Sequence, residues 1–203
     1  MHQYKGKLII HTGSMFSGKT SSLEKEVKRF HIAGYKTIAF KPTVDNRHPS
    51  SEITSHDKTS IEGILVEDIK MIMDYCEKNN PEIVAIDEVQ FLGGEIEDIK
   101  NGINELLSKD ITVILAGLDM DFSGKPFEII KEMMPFADYL TKHHAVCTRC
   151  GTDAWVSHRK TKATERVVIG ATREYEPLCR RCFLKEKKEE EAIINKNQVK
   201  FIE

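Results

Sequence analysis

The sequence predicts an α/β fold: a mostly parallel sheet covered by helices on both faces, with a small appendage at its C-terminal end. Three observations predict it. Short, almost continuously apolar runs recur at Leu8-Ile9-Ile10, Ile83-Val84-Ala85-Ile86 and Ile111–Ala116, as strands buried on both faces require. Amphipathic helical stretches alternate with them. After Lys142 the alternation stops and cysteines appear in pairs.

Each element follows from its own residues. Leu8-Ile9-Ile10 ends in Thr12-Gly13 and reads as a buried strand. Lys19 to about Ala33 reads as a helix, because Leu23, Val27 and Phe30 (or His31) fall three and four apart and Gly34 supplies a stop. Lys36–Phe40 is a strand closed by Lys41-Pro42. Thr43–Thr59 is polar and reads as a loop, and Ile61–Val66 as a strand. Asp68–Asn79 is a helix with Ile69, Ile72, Met73 and Cys76 on one side, stopped before Pro81. Ile83–Ile86 is a strand, Ile96–Leu107 a helix and Ile111–Ala116 a strand. Pro126 opens a further helix. The boundaries drawn on this basis are a core over 1–142, a cysteine-bearing segment over 143–185 and a charged, partly helical tail over 186–203. The run Lys185–Glu191 suits a solvated helix face with mixed ion pairs.

Composition narrows the function classes. The 203 residues are 40% hydrophobic and 31% charged, a balance typical of a soluble globular protein. Lys plus Arg total 30 and Asp plus Glu 32, giving net charge −2, which argues against a domain that lives on nucleic-acid phosphates. The longest apolar run, near Val113–Leu118, is far too short for a transmembrane helix, and no membrane partner is expected. No signal peptide fits the N-terminus, and five cysteines in such a chain favour a reducing cytoplasm and metal binding over disulfides.

Three constellations carry chemistry. Gly13-Ser14-Met15-Phe16-Ser17-Gly18-Lys19-Thr20 matches G-x-x-x-x-G-K-[ST] between an apolar strand and an amphipathic helix. Glycines let successive backbone N–H groups converge on phosphate oxygens, the helix aims its positive end there, Lys19 reaches the β- and γ-phosphates, and Thr20 suits Mg²⁺. The core is therefore of the P-loop NTPase type, and the ligand a nucleoside triphosphate. Asp87-Glu88 ends a four-residue apolar run, as in a Walker B strand. The aspartate can hold Mg²⁺ through water, and the glutamate can activate either a water or a substrate alcohol; spacing does not separate the two. Cys147-x-x-Cys150 and Cys179-x-x-Cys182, with 28 residues between the pairs, suit one tetrahedral Zn²⁺ in a closed, structural site. The competing readings are a redox dithiol or unrelated buried cysteines. Such a metal would also staple a segment too small for a core of its own. His143 and His144 are close in sequence, but four cysteines complete the set; Cys76 reads as core.

Taken together, these strings resemble the cytosolic type of thymidine kinase, which pairs a P-loop core with a zinc-bound lasso. The further matches are Lys41-Pro42-x-x-Asp45-x-Arg47, Asp87-Glu88-Val89-Gln90-Phe91, Gly117-Leu118-Asp119-x-Asp121-Phe122 with Pro126-Phe127, and Tyr175-Glu176-Pro177-Leu178-Cys179-Arg180-Arg181-Cys182. The resemblance implies transfer of the γ-phosphoryl of ATP to the 5′-hydroxyl of deoxythymidine, and of deoxyuridine, with Glu88 as general base. Thr20 and Asp87 would hold Mg²⁺, and Asp45, Arg47 and Gln90 would line the ATP side. Phe91, Phe122 and Phe127 would wall the nucleoside pocket. Met15, Leu118, Ser157 and Tyr175 would surround the 5-methyl group. A lasso over about Thr152–Tyr175 would close on the base, with Arg166, Val167, Val168, Ile169 and Gly170 at the pyrimidine edge and Arg159 as a phosphate contact. The family resemblance further implies a homotetramer inhibited by dTTP.

Departures from the family pattern are Ser14 where proline is frequent, Ala171 where a second glycine is usual, and Ser157 where threonine is common, which makes a roomier methyl pocket. Two rival functions stand beside the kinase. One is a P-loop ATPase whose zinc ribbon binds nucleic acid, which predicts a basic face where the sequence has only Arg159-Lys160-x-Lys162. The other is a non-enzymatic zinc-ribbon module, which leaves Asp87-Glu88 without a role.

Overall fold

A computed structural model describes residues 4–43, 52–54, 60–161, 166 and 174–199, excepting the side chains of 52–54, 60–62, 190–191 and 193–199. The elements in order are β1 (Leu8–Gly13), α1 (Lys19–Ile32), β2 (Thr37–Pro42), β3 (Glu52–Thr54), β4 (Ser60–Glu62), β5 (Ile64–Val66), α2 (Ile69–Asn79), β6 (Ile83–Ile86), α3 (Ile96–Ser108), β7 (Thr112–Gly117), α4 (Glu128–Met133), β8 (Tyr139–His143), β9 (Val156–Arg159), β10 (Tyr175–Leu178) and α5 (Arg180–Val199). Single 3₁₀ turns occupy Val89–Phe91 and Met134–Phe136.

Six strands form one sheet in the order β5-β2-β6-β7-β1-β8, and every pairing in it is parallel. Alternation along each strand splits the core in two. Leu8, Ile10, Val84, Ile86, Val113 and Leu115 face the helices α2, α3 and α4. Ile9, Ile83, Ala85, Ile114 and Ala116 face Leu23, Val27 and Phe30 of α1. Both faces are covered, which is why Leu8–Ile10, Ile83–Ile86 and Val113–Ala116 are continuous apolar runs.

Helix boundaries follow local chemistry. The Asp68 carboxylate caps α2 by accepting from the Met71 N–H at 2.9 Å. Gly34, at φ 87°, takes the left-handed turn after α1.

The structure corrects three expectations. The stretch Thr43–Thr59 is not loop throughout, since Glu52–Thr54 pairs antiparallel with Ser60–Glu62. The expected strand Ile61–Val66 is accordingly two, broken at Gly63. Pro126 does not open a helix: it sits in an isolated bridge to Met120, and α4 starts at Glu128 behind Phe127, whose extended backbone ends the turn. The sheet also has a sixth strand, β8, which carries no apolar run because it is an edge strand with Tyr139 and Leu140 half exposed.

Beyond β8, β9 and β10 pair antiparallel. Val156, Leu178, Phe183, Cys147 and Cys179 form a separate small core there. Trp155 and His158 pack edge-on against Phe183, and the Arg180 guanidinium lies 4.0 Å from the Trp155 ring centre.

Candidate active site

The site lies at the carboxyl ends of β1, β6 and β7, where an open parallel sheet presents its loops. The first component is the turn from β1 into α1. Gly13 (φ 129°), Phe16 (φ 64°) and Gly18 (φ 85°) bend the backbone through left-handed conformations. A Cβ on Gly13 would stand 2.1 Å from the His143 carbonyl oxygen of the neighbouring strand, so only glycine fits the entrance to the loop. Lys19 is buried and its ammonium donates across the loop to the Ser14 carbonyl at 2.8 Å; the Ser17 hydroxyl donates to the same oxygen at 2.7 Å.

The second component follows β6. The Thr20 hydroxyl donates to the Asp87 carboxylate at 3.2 and 3.3 Å. Asp87 is buried, and burial, reinforced by the charge of Glu88, pushes its carboxyl up to about 7, against the opposing pull of Lys19 and Lys41. Glu88 holds a left-handed backbone, φ 49°. A glutamate in that conformation is costly by about 1–3 kcal/mol and points to a functional constraint. Its carboxylate accepts from the Gln90 amide at 2.5 Å, and the Gln90 carbonyl accepts from the Leu118 N–H at 3.1 Å.

The third component arrives from far along the chain. Ser157, on β9, is buried, and its hydroxyl accepts from the Met15 N–H at 2.8 Å. Phe91 and Phe127 meet edge to face at 6.4 Å. The Arg159 guanidinium lies 3.8 Å over the Phe122 ring and donates to the Tyr175 hydroxyl at 2.9 Å and the Arg166 carbonyl at 3.1 Å. Arg166 donates through Nε to Asp121 at 3.1 Å, through Nη1 to Glu128 at 3.0 Å and through Nη2 to the Pro126 carbonyl at 2.8 Å, and lies over the Phe127 ring. Burial alone would raise the Asp121 carboxyl, but hydrogen bonds from Ser123, Lys125 and Arg166 outweigh it and hold the group below its usual range.

Of the residues expected from sequence, the structure therefore brings Gly13–Thr20, Asp87, Glu88, Gln90, Leu118 and Ser157 together. The Arg166 side chain is turned to Asp121 and Glu128. Asp45, Arg47 and Val167–Gly170 lie outside the described residues. Sequence reasoning missed two features. Lys41 is a buried lysine at the end of β2, close enough to Asp87 to act on its charge; its place at a strand's carboxyl end was the available signal. His11 and His143, on paired strands behind the loop, are joined Nδ1 to Nε2 at 3.1 Å, and nothing local in the sequence marks that pair.

Away from this site, the sulfur atoms of Cys147, Cys150, Cys179 and Cys182 all lie within 4.8 Å of one another. Four thiolates about 2.3 Å from one Zn²⁺ would stand about 3.8 Å apart, and Cys150 and Cys179 are 3.6 Å apart. The donor set and its dimensions thus fit a tetrahedral ion. His144 instead bonds the Ala154 carbonyl at 3.0 Å.

The family model for thymidine kinase matches residues 6–183. The chain belongs to the thymidine kinase family. That membership gives the chain its function, thymidine kinase, and makes it an enzyme that works on a nucleoside with ATP. Among relatives, the thymidine kinase of Bacteroides thetaiotaomicron is 38% identical over 186 residues, covering 92% of this chain and 91% of that protein. The thymidine kinase of Rhodothermus sp. is 38% identical over 178 residues, covering 88% and 81%. Among solved structures, the flagellar accessory protein FlaH from Methanocaldococcus jannaschii superposes with a TM-score of 0.51 at 15% identity, covering 73% of this chain and 75% of that one. That likeness concerns the fold alone.

Proposed function

We propose that the chain transfers the γ-phosphoryl group of ATP to the 5′-hydroxyl of thymidine, giving dTMP, with Glu88 as general base. The observation that carries this reading is the meeting of Thr20, Asp87 and Glu88. The Thr20 hydroxyl and Asp87 carboxylate are hydrogen-bonded at 3.2 Å, so the pair would hold Mg²⁺, Asp87 through a water, and Glu88 is the next residue along. Bound there, Mg²⁺ would neutralise charge on the phosphates. The loop N–H groups and Lys19 hold the triphosphate. Glu88 accepts the proton of the 5′-hydroxyl as its oxygen attacks the γ-phosphorus, whose bond to the β–γ bridging oxygen breaks so that ADP leaves. Positioning and charge neutralisation are most of what this transfer needs.

On the acceptor side, Phe91, Phe127 and Phe122 wall the nucleoside, and Met15, Leu118, Ser157 and Tyr175 surround the methyl group. A methyl pocket discriminates by only roughly 1–3 kcal/mol, so deoxyuridine is a slower substrate rather than an excluded one. The family resemblance supports reading of the pyrimidine edge by backbone groups near Val167–Gly170, where unpaired buried amides would penalise a wrong base. The four cysteines hold a structural Zn²⁺ and divide a metal-stapled lasso segment (143–185) from the core (1–142). The family resemblance supports a cytoplasmic homotetramer restrained by dTTP. Among the described residues no helix is long and apolar enough to cross a membrane.

A panel of nucleosides incubated with labelled ATP and Mg²⁺ tests this function. Label should pass to thymidine and, less efficiently, to deoxyuridine. Label passing equally to purine nucleosides, or to water alone, would overturn it.

A further inference from the structure

The resemblance assigns Gln90 to the ATP side, but its side chain spans two other groups. Its carbonyl oxygen accepts from the Leu118 N–H at 3.1 Å and its amide nitrogen donates to Glu88 at 2.5 Å. The orientation of the amide is forced. Flipped, its NH₂ would face the Leu118 N–H and its oxygen would face a carboxylate, a repulsive pair at both ends. The Leu118 N–H belongs to the chain leaving β7, held in turn through the Thr12 hydroxyl bond to the Gly117 carbonyl at 2.9 Å. Rigid sheet backbone therefore sets the position of Gln90.

Gly117 makes the arrangement possible. A Cβ there would stand 2.6 Å from the Gln90 oxygen and 3.0 Å from a Val89 methyl. The position has an ordinary negative φ, so space rather than backbone conformation demands glycine. The proposed function makes Leu118 a wall of the methyl pocket, and on that reading one amide links the surface that seats the base to the carboxylate that receives the proton.

We infer that Gln90 is a positioning residue: it fixes the Glu88 carboxylate against the backbone that lines the nucleoside pocket. The inference rests on Glu88 being the general base. The hydrogen bond from the Gln90 amide restricts the rotamers open to the carboxylate. A carboxylate free to swing by about 1 Å would lose on the order of a hundredfold in rate.

Steady-state kinetics on the full chain separate the roles. Gln90→Met, which keeps the volume, should lower kcat by about ten- to a hundredfold, with KM for ATP unchanged within about twofold. Gly117→Ala should show the same split, because its methyl group displaces the Gln90 amide. Combined with Glu88→Gln, Gln90→Met should add less than about twofold, since the base it orients is already gone. A Gln90→Met variant whose main defect is a raised KM for ATP would make Gln90 a nucleotide ligand and overturn the inference. So would losses that multiply in the Glu88→Gln background. A Glu88→Gln enzyme with undiminished turnover would overturn the reading of Glu88 and the inference with it, which distinguishes the two failures. Unfolding midpoints of the free variants identify any loss that stems from folding.

Discussion

Replacing Gly13 by alanine separates two reasons for glycine in one phosphate loop. Gly13 and Gly18 both sit at positive φ, 129° and 85°, so alanine strains the backbone at either. They differ in surroundings. Gly13 pairs with His143 across β1 and β8, and its added Cβ would stand 2.1 Å from the His143 oxygen and 3.0 Å from its carbon; around Gly18 nothing lies within 4 Å. At Gly18 the cost is left-handed strain, about 1–2 kcal/mol, reduced by the lower entropy of the unfolded alanine chain. At Gly13 strain of about 1–3 kcal/mol adds to an overlap that moves backbone, about 1–3 kcal/mol more. For a chain of this size each kcal/mol lowers the midpoint by about 2–4 °C. Thermal unfolding of the ligand-free protein should therefore fall by about 4–24 °C for Gly13→Ala, near 12 °C at the middle of both ranges, and by less than about 6 °C for Gly18→Ala. Equal midpoints for the two variants would refute the claim that the edge strand closes on the loop entrance.

Three further outcomes are expected. Arg166→Gln removes a charge-assisted bond to buried Asp121 worth about 1.5–3 kcal/mol, while the pair with exposed Glu128 adds little; if Arg166 anchors the lasso over the base, KM for thymidine should rise about tenfold or more with kcat little changed, and an unchanged KM would remove the anchor. Burial and the neighbouring His143 depress His11 from 6.5 to about 4, so the unfolded chain binds the extra proton between those values. The stability His11 contributes is complete above about pH 6.5 and is lost as pH falls toward 4, with a slope of at most about 1.4 kcal/mol per unit; denaturant unfolding from pH 4.5 to 7.5 should show a shallower slope in His11→Gln, and an identical slope would contradict the assignment. Cys182→Ser should abolish zinc retention in a metal assay and, because Ser157 bonds the Met15 N–H, weaken nucleotide binding as well; full metal content would reject the four-thiolate site.

The elements most legible in the sequence were those whose signal is local. Apolar runs marked β1, β6 and β7 because both faces of those strands are buried. The edge strand β8 was not legible for the opposite reason: Tyr139 and Leu140 are half exposed, so its periodicity carries little contrast. Pro126 was misread because its fixed φ suits a helix's first turn and a bridge between loop strands equally well. The site divides in the same way. The phosphate loop, Asp87-Glu88 and the cysteine pairs are contiguous or closely spaced strings. The bonds Met15–Ser157, His11–His143, Arg166–Asp121 and Gln90–Leu118 join residues far apart in sequence, and no local pattern encodes which partners the fold will deliver. Resemblance named several of these residues, but packing determines what their side chains touch. Gln90 bonds Glu88 and the Leu118 N–H, and Ser157 bonds the phosphate-loop backbone.

The role of Glu88 is tested most directly by single-turnover transfer of labelled phosphoryl in Glu88→Gln with both substrates saturating. The glutamine keeps the carbonyl that Gln90 bonds and loses only the proton-accepting charge. The rate should fall by about 10²–10⁴-fold while thymidine and ATP still bind. A rate within a few-fold of the unmodified enzyme would mean that another group takes the proton.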